Sequence, residues 1–509
     1  MPRDALPDDS ETLKAMLLAE RVQNERLRQI IRDLQRHQFG RRAETLPEDQ
    51  MLLGLEDVEQ AAARDATDAE QATPAARQAG AAKRRANRGS LPAHLPRIET
   101  TIDIDDKTCT CRCCQGALHR IGEDKSERLD IMPAQFRVLV TIRPKYACRT
   151  CEDGVVQAPA PARLIEGGLP TEATIAQVLV SKYADHLPLY RQAQVYARQG
   201  VNLDRSTLAD WVGHAAWHLR PLHQRLLDKL KERPKLFADE TTVPVLDPGR
   251  GRTKTGQLWA YAADDRPWGG SDPPGAVYVY APDRKAERPI THLNGFKGVL
   301  QVDGYAGYRR LAERGDVQLA FCWVHVRRNF YKLATPGPAP IASEALQRIA
   351  ALYMIEKDIR GRSADERRIV RQQRSRPLID ALEPWLRAKL GLISQKGKLA
   401  EAIRYALSRW EGLTRFLDDG RIELDNNTVE RSIRPITLNR KNALFAGSDG
   451  GAEHWATIAS LIETCKLHDI DPLGYLTDVL TRIVNGHPNR DIDALLPWTY
   501  KTQDLRAVA

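Results

Sequence analysis

No apolar run in this 509-residue chain approaches the length of a bilayer span. The opening residues, MPRDALPDDSETLK, hold no apolar signal region. Both absences point away from membrane-embedded and secreted classes, so the expectation is a cytoplasmic protein with no membrane partner. A strand–GxxxxGK(S/T)–helix unit is also missing, which excludes a P-loop nucleotide site. Cysteine is scarce outside one stretch: six of the eight lie between Cys109 and Cys151. In a reducing compartment such clustering argues for metal rather than disulfides. From about Glu56 to Ser90, apolar residues larger than alanine almost vanish, which leaves a stretch unable to build a core.

What is present is basic. Lysine and arginine number 76 against 67 acids, a net charge of +9, and this favours a polyanionic partner, nucleic acid first. A chain of 509 residues is long enough for two to four domains.

Residues 10–42 read as an amphipathic helix with Leu13, Met16, Leu17, Leu27, Ile30, Ile31 and Leu34 near heptad spacing. The register breaks at Glu20 and Gln23, so a short coiled coil and a helix packed on its own domain both stand. Residues 56–90 read as a disordered linker. Its end carries Lys83, Arg84 and Arg85, placed either to touch DNA backbone or simply to be solvated. Residues 91–165 hold two C-x-x-C pairs, Cys111 with Cys114 and Cys148 with Cys151, flanking the strand-like run FRVLVTIRPKYAC. Thiolates so spaced wrap one tetrahedral zinc and leave no open position, so the ion would be structural. Cys109 and Cys113 lie close enough to replace Cys111.

Residues 170–232 read as helices. Leu187-Pro188 and Gly200-Val-Asn-Leu separate them, Asp204 or Ser206 caps the third, and Trp211 and Trp217 pack on a far face. The order suits a helix-turn-helix that reads a major groove, and equally a helical core. From Leu236 the periodicity changes. LFADETTVPVL, GQLWAYAAD and AVYVYAPD read as strands separated by turn residues. A helix through ITHLNGF, the strand GVLQVDGY, the helix AGYRRLAER and the strand VQLAFCWV follow. Three meandering strands and then strand–helix–strand is the order of a ribonuclease-H-like domain, expected to span 233–335 and to resume at 421–455 after a helical insert at 336–420. A C-terminal cap is expected over 456–509.

In that topology the first and fourth strands are neighbours, which sets Asp239 beside Asp303. Two carboxylates forced together repel unless cations sit between them. Oxygen ligands facing phosphates select Mg²⁺ or Mn²⁺, and two such ions can clamp the attacking and leaving oxygens of a phosphoryl displacement. The third acid is expected from a helix. LDNNTVERSIRPITLNRKN, residues 424–442, places Asn426, Glu430 and Arg434 at a spacing of four, with Arg431 beside them and Pro435 expected to stop or kink the helix. This stretch reads either as a solvated ion-paired helix or as a metal ligand set with Arg431 and Arg434 on phosphates. His325, Arg327 and Arg328 follow the fifth strand. His325 reads as an auxiliary group at the acids or as a structural histidine, and Arg327 and Arg328 as phosphate contacts. Arg440 and Lys441 precede a glycine-rich stretch, FAGSDGGAEHW, that is either a DNA-approaching loop or a helix-opening turn.

FADETTVPVL, LQVDGYAGY, FCWVHVRRNF, DNNTVERSIRP and NRKNALFAGSDGGAEHWA together resemble the signature blocks of the insertion-sequence-66 family of bacterial transposases. CRCCQGALHRIGED with PKYACRTCE is similar to that family's zinc-finger module, the N-terminal helix with FGRR to its leucine-zipper segment, and SLIETCKLHDIDPLGYLTDVL to its C-terminal cap. The resemblance implies a DDE transposase. Asp239, Asp303 and Glu430 would be the catalytic acids on two Mg²⁺ or Mn²⁺ ions, and Cys111, Cys114, Cys148 and Cys151 the ligands of one zinc. Cys109 and Cys113 make this cluster denser than the family's paired pattern. It also implies double-stranded DNA partners (the element's terminal inverted repeats and the target), a homo-oligomeric synaptic complex, and small accessory proteins of the element. The expected place is the bacterial cytoplasm, on the nucleoid when DNA is bound. The competing readings are a non-joining ribonuclease-H-like nuclease and a non-catalytic zinc-finger and helix-turn-helix DNA-binding protein.

Overall fold

The computed structural model describes residues 136–147, 155–166, 168–247, 252–335 and 337–500, with a few isolated positions before residue 80. The expected coiled coil, Lys83, Arg84, Arg85 and the cysteines Cys111, Cys114, Cys148 and Cys151 lie outside the described residues. The chain separates into two units, Met1–Ala134 and Gln135–Ala509, of which the second carries the central sheet and its helices.

It opens with a short antiparallel pair, β1 (Lys145–Ala147) and β2 (Val155–Gln157). Of the strand-like run FRVLVTIRPKYAC, only Lys145–Ala147 forms a strand, as β1. Residues 136–144 are unpaired, and Val138, Leu139, Val140 and Ile142 are exposed, so nothing in the described residues rewards pairing there. Three helices follow: α1 (Glu172–Tyr183), α2 (Leu189–Ala197) and α3 (Arg205–Lys231). Thr171 caps α1 through its side chain. Asp204 occupies the N-cap of α3 without a side-chain hydrogen bond to the helix. Trp211 is buried in the core as its bulk suggests, but Trp217 stands exposed, because α3 turns its Leu208, Val212, Ala215 and Leu219 stripe inward instead.

The central sheet is built from β3 (Lys235–Asp247), β4 (Arg252–Ala263), β5 (Gly275–Ala281), β6 (Gly298–Val302) and β7 (Val317–Phe321). Their spatial order is β5-β4-β3-β6-β7. The first three form an antiparallel meander, and β6 and β7 join in parallel. Parallel strands need crossovers, supplied by α4 (Glu287–His292) before β6 and α5 (Gly307–Ala312) before β7. The strand expected through FCWV is cut short. β7 ends at Phe321, Cys322 takes the N-cap position without a side-chain capping bond, and α6 (Trp323–Ala334) begins at once. Trp323 is buried there, its indole N–H donating to the Leu413 carbonyl at 2.8 Å.

A layer of helices then leaves the sheet and comes back. It comprises α7 (Pro340–Ile359), α8 (Ala364–Val370), a π-turn at Arg371–Ser375, α9 (Arg376–Gly391), α10 (Lys398–Leu407) and α11 (Trp410–Thr414). The chain returns in α12 (Asn427–Ala443), followed by α13 (Asp449–Leu467), α14 (Pro472–Val484) and two short 3-10 turns at Asn489–Leu495 and Pro497–Thr499.

Strand alternation divides the core. Leu300 and Val302 of β6 enter one cluster with α1, α3, α12, α13 and α14. Val299 and Ala320 enter a second cluster with α6, α7, α9, α10 and α11. The sheet is thus mixed α/β and covered by helices on both faces. Among the described residues, no helix is long and apolar enough to cross a membrane.

Candidate phosphoryl-transfer site

The last paired residues of the β3–β6 ladder are Phe237 and Gln301. Two residues further along each strand come Asp239 and Asp303. Equal steps along parallel strands keep side chains on one face, so the two acids leave the sheet together where the ladder opens. Asp303 is fixed locally. Its Oδ1 accepts the Tyr305 N–H at 2.9 Å, and Gly304 turns the chain at φ +106°, a conformation that favours glycine. The helical layer grips the same turn. Tyr405 on α10 donates to the Asp303 carbonyl at 2.8 Å, and Arg409 donates to the Gly304 carbonyl at 3.2 Å.

Glu430 arrives from the other direction, and the return segment explains how. The face of β3 and β6 that carries the acids also carries Lys235 and Gln301, both buried. Lys235 donates to the Arg421 carbonyl at 2.7 Å. The amide of Gln301 donates to the carbonyls of Glu423 and Asp425, each at 2.7 Å, and accepts from the Glu423 N–H. Trp323 N–H meets the Leu424 carbonyl at 2.8 Å. Residues 421–425 are therefore sewn across the sheet edge. Asn426, fully buried, then donates from its side chain to the Ala238 carbonyl, one residue before Asp239. It stands at the N-cap position of α12, just outside the helix. Glu430 follows in the first turn, its N–H bonded to the Asn426 carbonyl.

Pro435 does not end this helix, which runs on to Ala443. Val429, Ile433 and Ile436 are buried against the sheet core. Their burial outweighs the roughly 3 kcal/mol a mid-helix proline costs.

The three acids are coupled electrostatically, although among the described residues their ligand atoms do not all come within 4.8 Å of one another. The Asp239 carboxyl is pushed up to about 8, first by burial and then by the Asp303, Glu240 and Glu430 carboxylates. Glu240 is itself raised by burial, with its ion pair to Arg284 pulling the other way. His325, on the first turn of α6, is lowered by burial and by Arg328, while Glu430 and Asp303 favour its charged form. One Glu430 oxygen, Oε1, is buried without a hydrogen-bond partner, as are Asn426 Oδ1 and His325 Nδ1. Oxygen donors of which one is orphaned and one is raised by burial and by its neighbours are the kind of donor set that suits a hard divalent cation.

The basic residues divide. Arg327 and Arg328 on α6, and Arg431, Arg434 and Lys441 on α12, are exposed. Arg431 lines a cleft with Asp264, Arg266 and Arg360. Arg440 instead spends its guanidinium on β3, donating to the Thr242 carbonyl at 2.6 Å. The glycine-rich stretch opens a helix. Ser448 accepts the Gly451 N–H at 3.0 Å and caps α13, whose Asp449 pairs with Lys254 at 2.6 Å.

Gln301, Lys235, Tyr405 and Arg409 escaped the reading of the sequence. A signal existed for the first: a glutamine between leucine and valine in a buried strand needs partners. The other three act through main-chain carbonyls far away in sequence, for which no local pattern exists.

A mixed sheet with two acids where its parallel ladder opens, and with exposed arginines on the helices that carry His325 and Glu430, places the chain among multidomain α/β proteins. The comparison with known families makes this specific: the chain belongs to the IS66 transposase family. Residues 167–454 match "Transposase IS66 family", 108–152 the "zinc-finger binding domain of transposase IS66", and 460–498 the "IS66 C-terminal element". Residues 26–100 match "Transposase C of IS166 homeodomain". Full-length relatives occur in Sinorhizobium fredii. The uncharacterized protein y4jD is 46% identical, covering 99% of both chains. The uncharacterized protein y4qI is 45% identical, covering 98% of this chain and 99% of its own. The protein is thus a transposase, an enzyme that binds DNA and carries a zinc-finger domain.

Proposed function

We propose that this transposase cuts one strand at the element's end by hydrolysis, frees a 3′-OH, and joins that 3′-OH to target DNA by transesterification at the same site. The observation that carries the reading is the placement of Asp239 and Asp303 side by side where the β3–β6 ladder opens, with Glu430 brought to them by the Asn426 bond to the Ala238 carbonyl. Burial first, and then the Asp303, Glu240 and Glu430 carboxylates, push Asp239 up to about 8. These three carboxylates would hold two Mg²⁺ or Mn²⁺ ions. When bound, the ions supply Lewis acidity to the attacking and leaving oxygens. The protein's own part is positioning. The Gln301 and Asn426 bonds hold Glu430 at the sheet edge, and the Tyr405 bond holds the Asp303 turn. Arg431, Arg434, Arg327, Arg328 and Lys441 would hold phosphates, with Arg440 ordering β3 beneath them.

The sheet order β5-β4-β3-β6-β7 supports a ribonuclease-H-like core over 233–335 and 421–455, with 336–420 as its helical insert and 456–509 as its cap. Within this reading α13 bridges the last boundary, since it runs from Asp449 to Leu467. Residues 170–232, the zinc module at 91–165 with Cys111, Cys114, Cys148 and Cys151, and Lys83, Arg84 and Arg85 in the 56–90 linker would bind the terminal repeats. Residues 10–42 would pair chains into a homo-oligomeric synapse, with accessory proteins of the element as further partners.

The test is strand cleavage and strand transfer by purified protein on an end-containing duplex with Mg²⁺. Asp239→Asn, Asp303→Asn and Glu430→Gln are each expected to lose at least about 10³-fold in both steps while keeping the wild-type melting temperature or exceeding it. Retained strand transfer in Asp239→Asn overturns the reading. Cleaved but never joined product would favour the non-joining nuclease.

A further inference from the structure

A second group of ligands meets at Glu430. Cys322 takes the N-cap position of α6, His325 lies three residues on in the first turn of that helix, and Glu430 stands in the first turn of α12. One ligand atom from each, sulfur, nitrogen and oxygen, lies within 4.8 Å of the others. Two of the three side chains carry a buried polar atom with no partner, His325 Nδ1 and Glu430 Oε1. Orphaned buried atoms are rare in folded proteins, and two of them on side chains that meet at one thiol call for a shared partner. The sulfur is already supported, accepting the Asn426 N–H at 3.3 Å, an outer-shell bond of the kind that steadies a metal thiolate.

The donor chemistry selects the ion. Mg²⁺ takes oxygen, and the Asp239–Asp303 pair offers it. A thiolate, an imidazole and a carboxylate suit a softer divalent ion, zinc above all, and neutralise its two charges. Tetrahedral zinc holds its ligand atoms roughly 3.3–3.6 Å apart, so side-chain shifts of about 1 Å complete the set. Three protein ligands leave a fourth position for water or a phosphate oxygen. None of the three residues belongs to the zinc-finger match at 108–152.

We propose that Cys322, His325 and Glu430 form a zinc site at the edge of the acid cluster, and that zinc bound there withdraws Glu430 from Asp239 and Asp303. The second half rests on the phosphoryl-transfer reading above; the first does not. One carboxylate then serves two metal sets, and a rise in free zinc switches the enzyme off without disturbing its fold.

The test uses the full-length protein, freed of loosely held metal and titrated with ZnCl₂, with uptake read by elemental analysis and calorimetry. Wild type is expected to take one equivalent more than Cys322→Ser and one more than His325→Gln. Cys322 is buried, so its variant is checked by thermal melting; His325 is half-buried, and its variant keeps the question open to test if the first misfolds. Equal zinc uptake in all three proteins overturns the site. In parallel, ZnCl₂ is added to Mg²⁺-dependent cleavage of a DNA end. His325→Gln is expected to need at least about tenfold more zinc than wild type for the same fractional suppression. Suppression at the same zinc concentration in both overturns the regulatory half. A missing equivalent in the variants, found in a protein that shows no Mg²⁺-dependent cleavage at all, upholds the site and removes the phosphoryl-transfer reading instead.

Discussion

Asp239 carries most of the chemistry visible at the scale of single residues. Its carboxyl is raised from 3.8 to about 8 by burial and by the carboxylates around it. The metal-free fold therefore holds a proton there that the unfolded chain has released. By linkage, that fold loses stability as pH climbs from about 4 to about 8, the window between the two values. A divalent cation reverses the balance by taking the proton's place. At pH 7, Mg²⁺ binding is expected to release about one proton, seen as a dependence of the calorimetric heat on the buffer's ionisation enthalpy. Heats independent of buffer would show that Asp239 is already ionised and that the carboxylates do not crowd as described. Gln301 supplies a structural counterpart. Gln301→Leu removes three hydrogen bonds and strands the Glu423 and Asp425 carbonyls. The expected cost is about 3 kcal/mol in chemical denaturation, with a larger loss of cleavage than stability alone explains, because Glu430 is tethered through that segment.

The elements show where reading the sequence succeeds and where it stops. Asp239 and Asp303 were legible because a strand's period of two and a parallel register are local rules, and an acid in an apolar strand breaks the local pattern. The strand expected over VQLAFCWV formed only as far as Phe321 for an equally physical reason: the residues after it serve the start of a helix, where Trp323 finds a partner 90 positions later. The course of α12 past Pro435 was likewise hidden, since the proline's penalty is local and the compensating burial is tertiary. Glu430 was readable as a candidate, but the device that returns it to the sheet was not. That device centres on Arg371 in the π-turn, fully buried, which donates to Glu356 and to the carbonyls of Phe416, Asp419 and Ile422. It ties the helical layer to the first residues of the return. Arg371→Leu leaves Glu356 with Arg367 as its remaining cation and strands three carbonyls, so a loss of about 3 kcal/mol is expected, read as a lower denaturation midpoint. A change below about 1 kcal/mol would mean that the return segment is held elsewhere.

For the whole molecule, the net charge of +9 gains meaning from its placement. Arg327 and Arg328 stand exposed on α6, which starts beside the acids, and Arg431, Arg434 and Lys441 stand exposed on the helix that carries Glu430. Two helices from distant parts of the chain thus present cations beside one acid cluster, an arrangement that suits phosphates passing between them. Contacts of this kind carry no sequence information, so their removal has a signature of its own. Each phosphate neutralised contributes about 0.9 to the slope of log affinity against log salt. Arg327→Ala/Arg328→Ala is expected to reduce the magnitude of that slope by about 1.8, and Arg431→Ala/Arg434→Ala by a similar amount, measured by fluorescence anisotropy from about 50 to 200 mM salt. Binding should weaken equally for an element end and for a scrambled duplex. Arg440→Ala is the internal control. Its guanidinium is engaged with Thr242, so it should leave the slope nearly unchanged while lowering the melting temperature. If the α6 and α12 pairs left the slope intact and Arg440→Ala changed it, DNA would have to cross the β3 edge instead, and the proposed path between the two helices would be wrong.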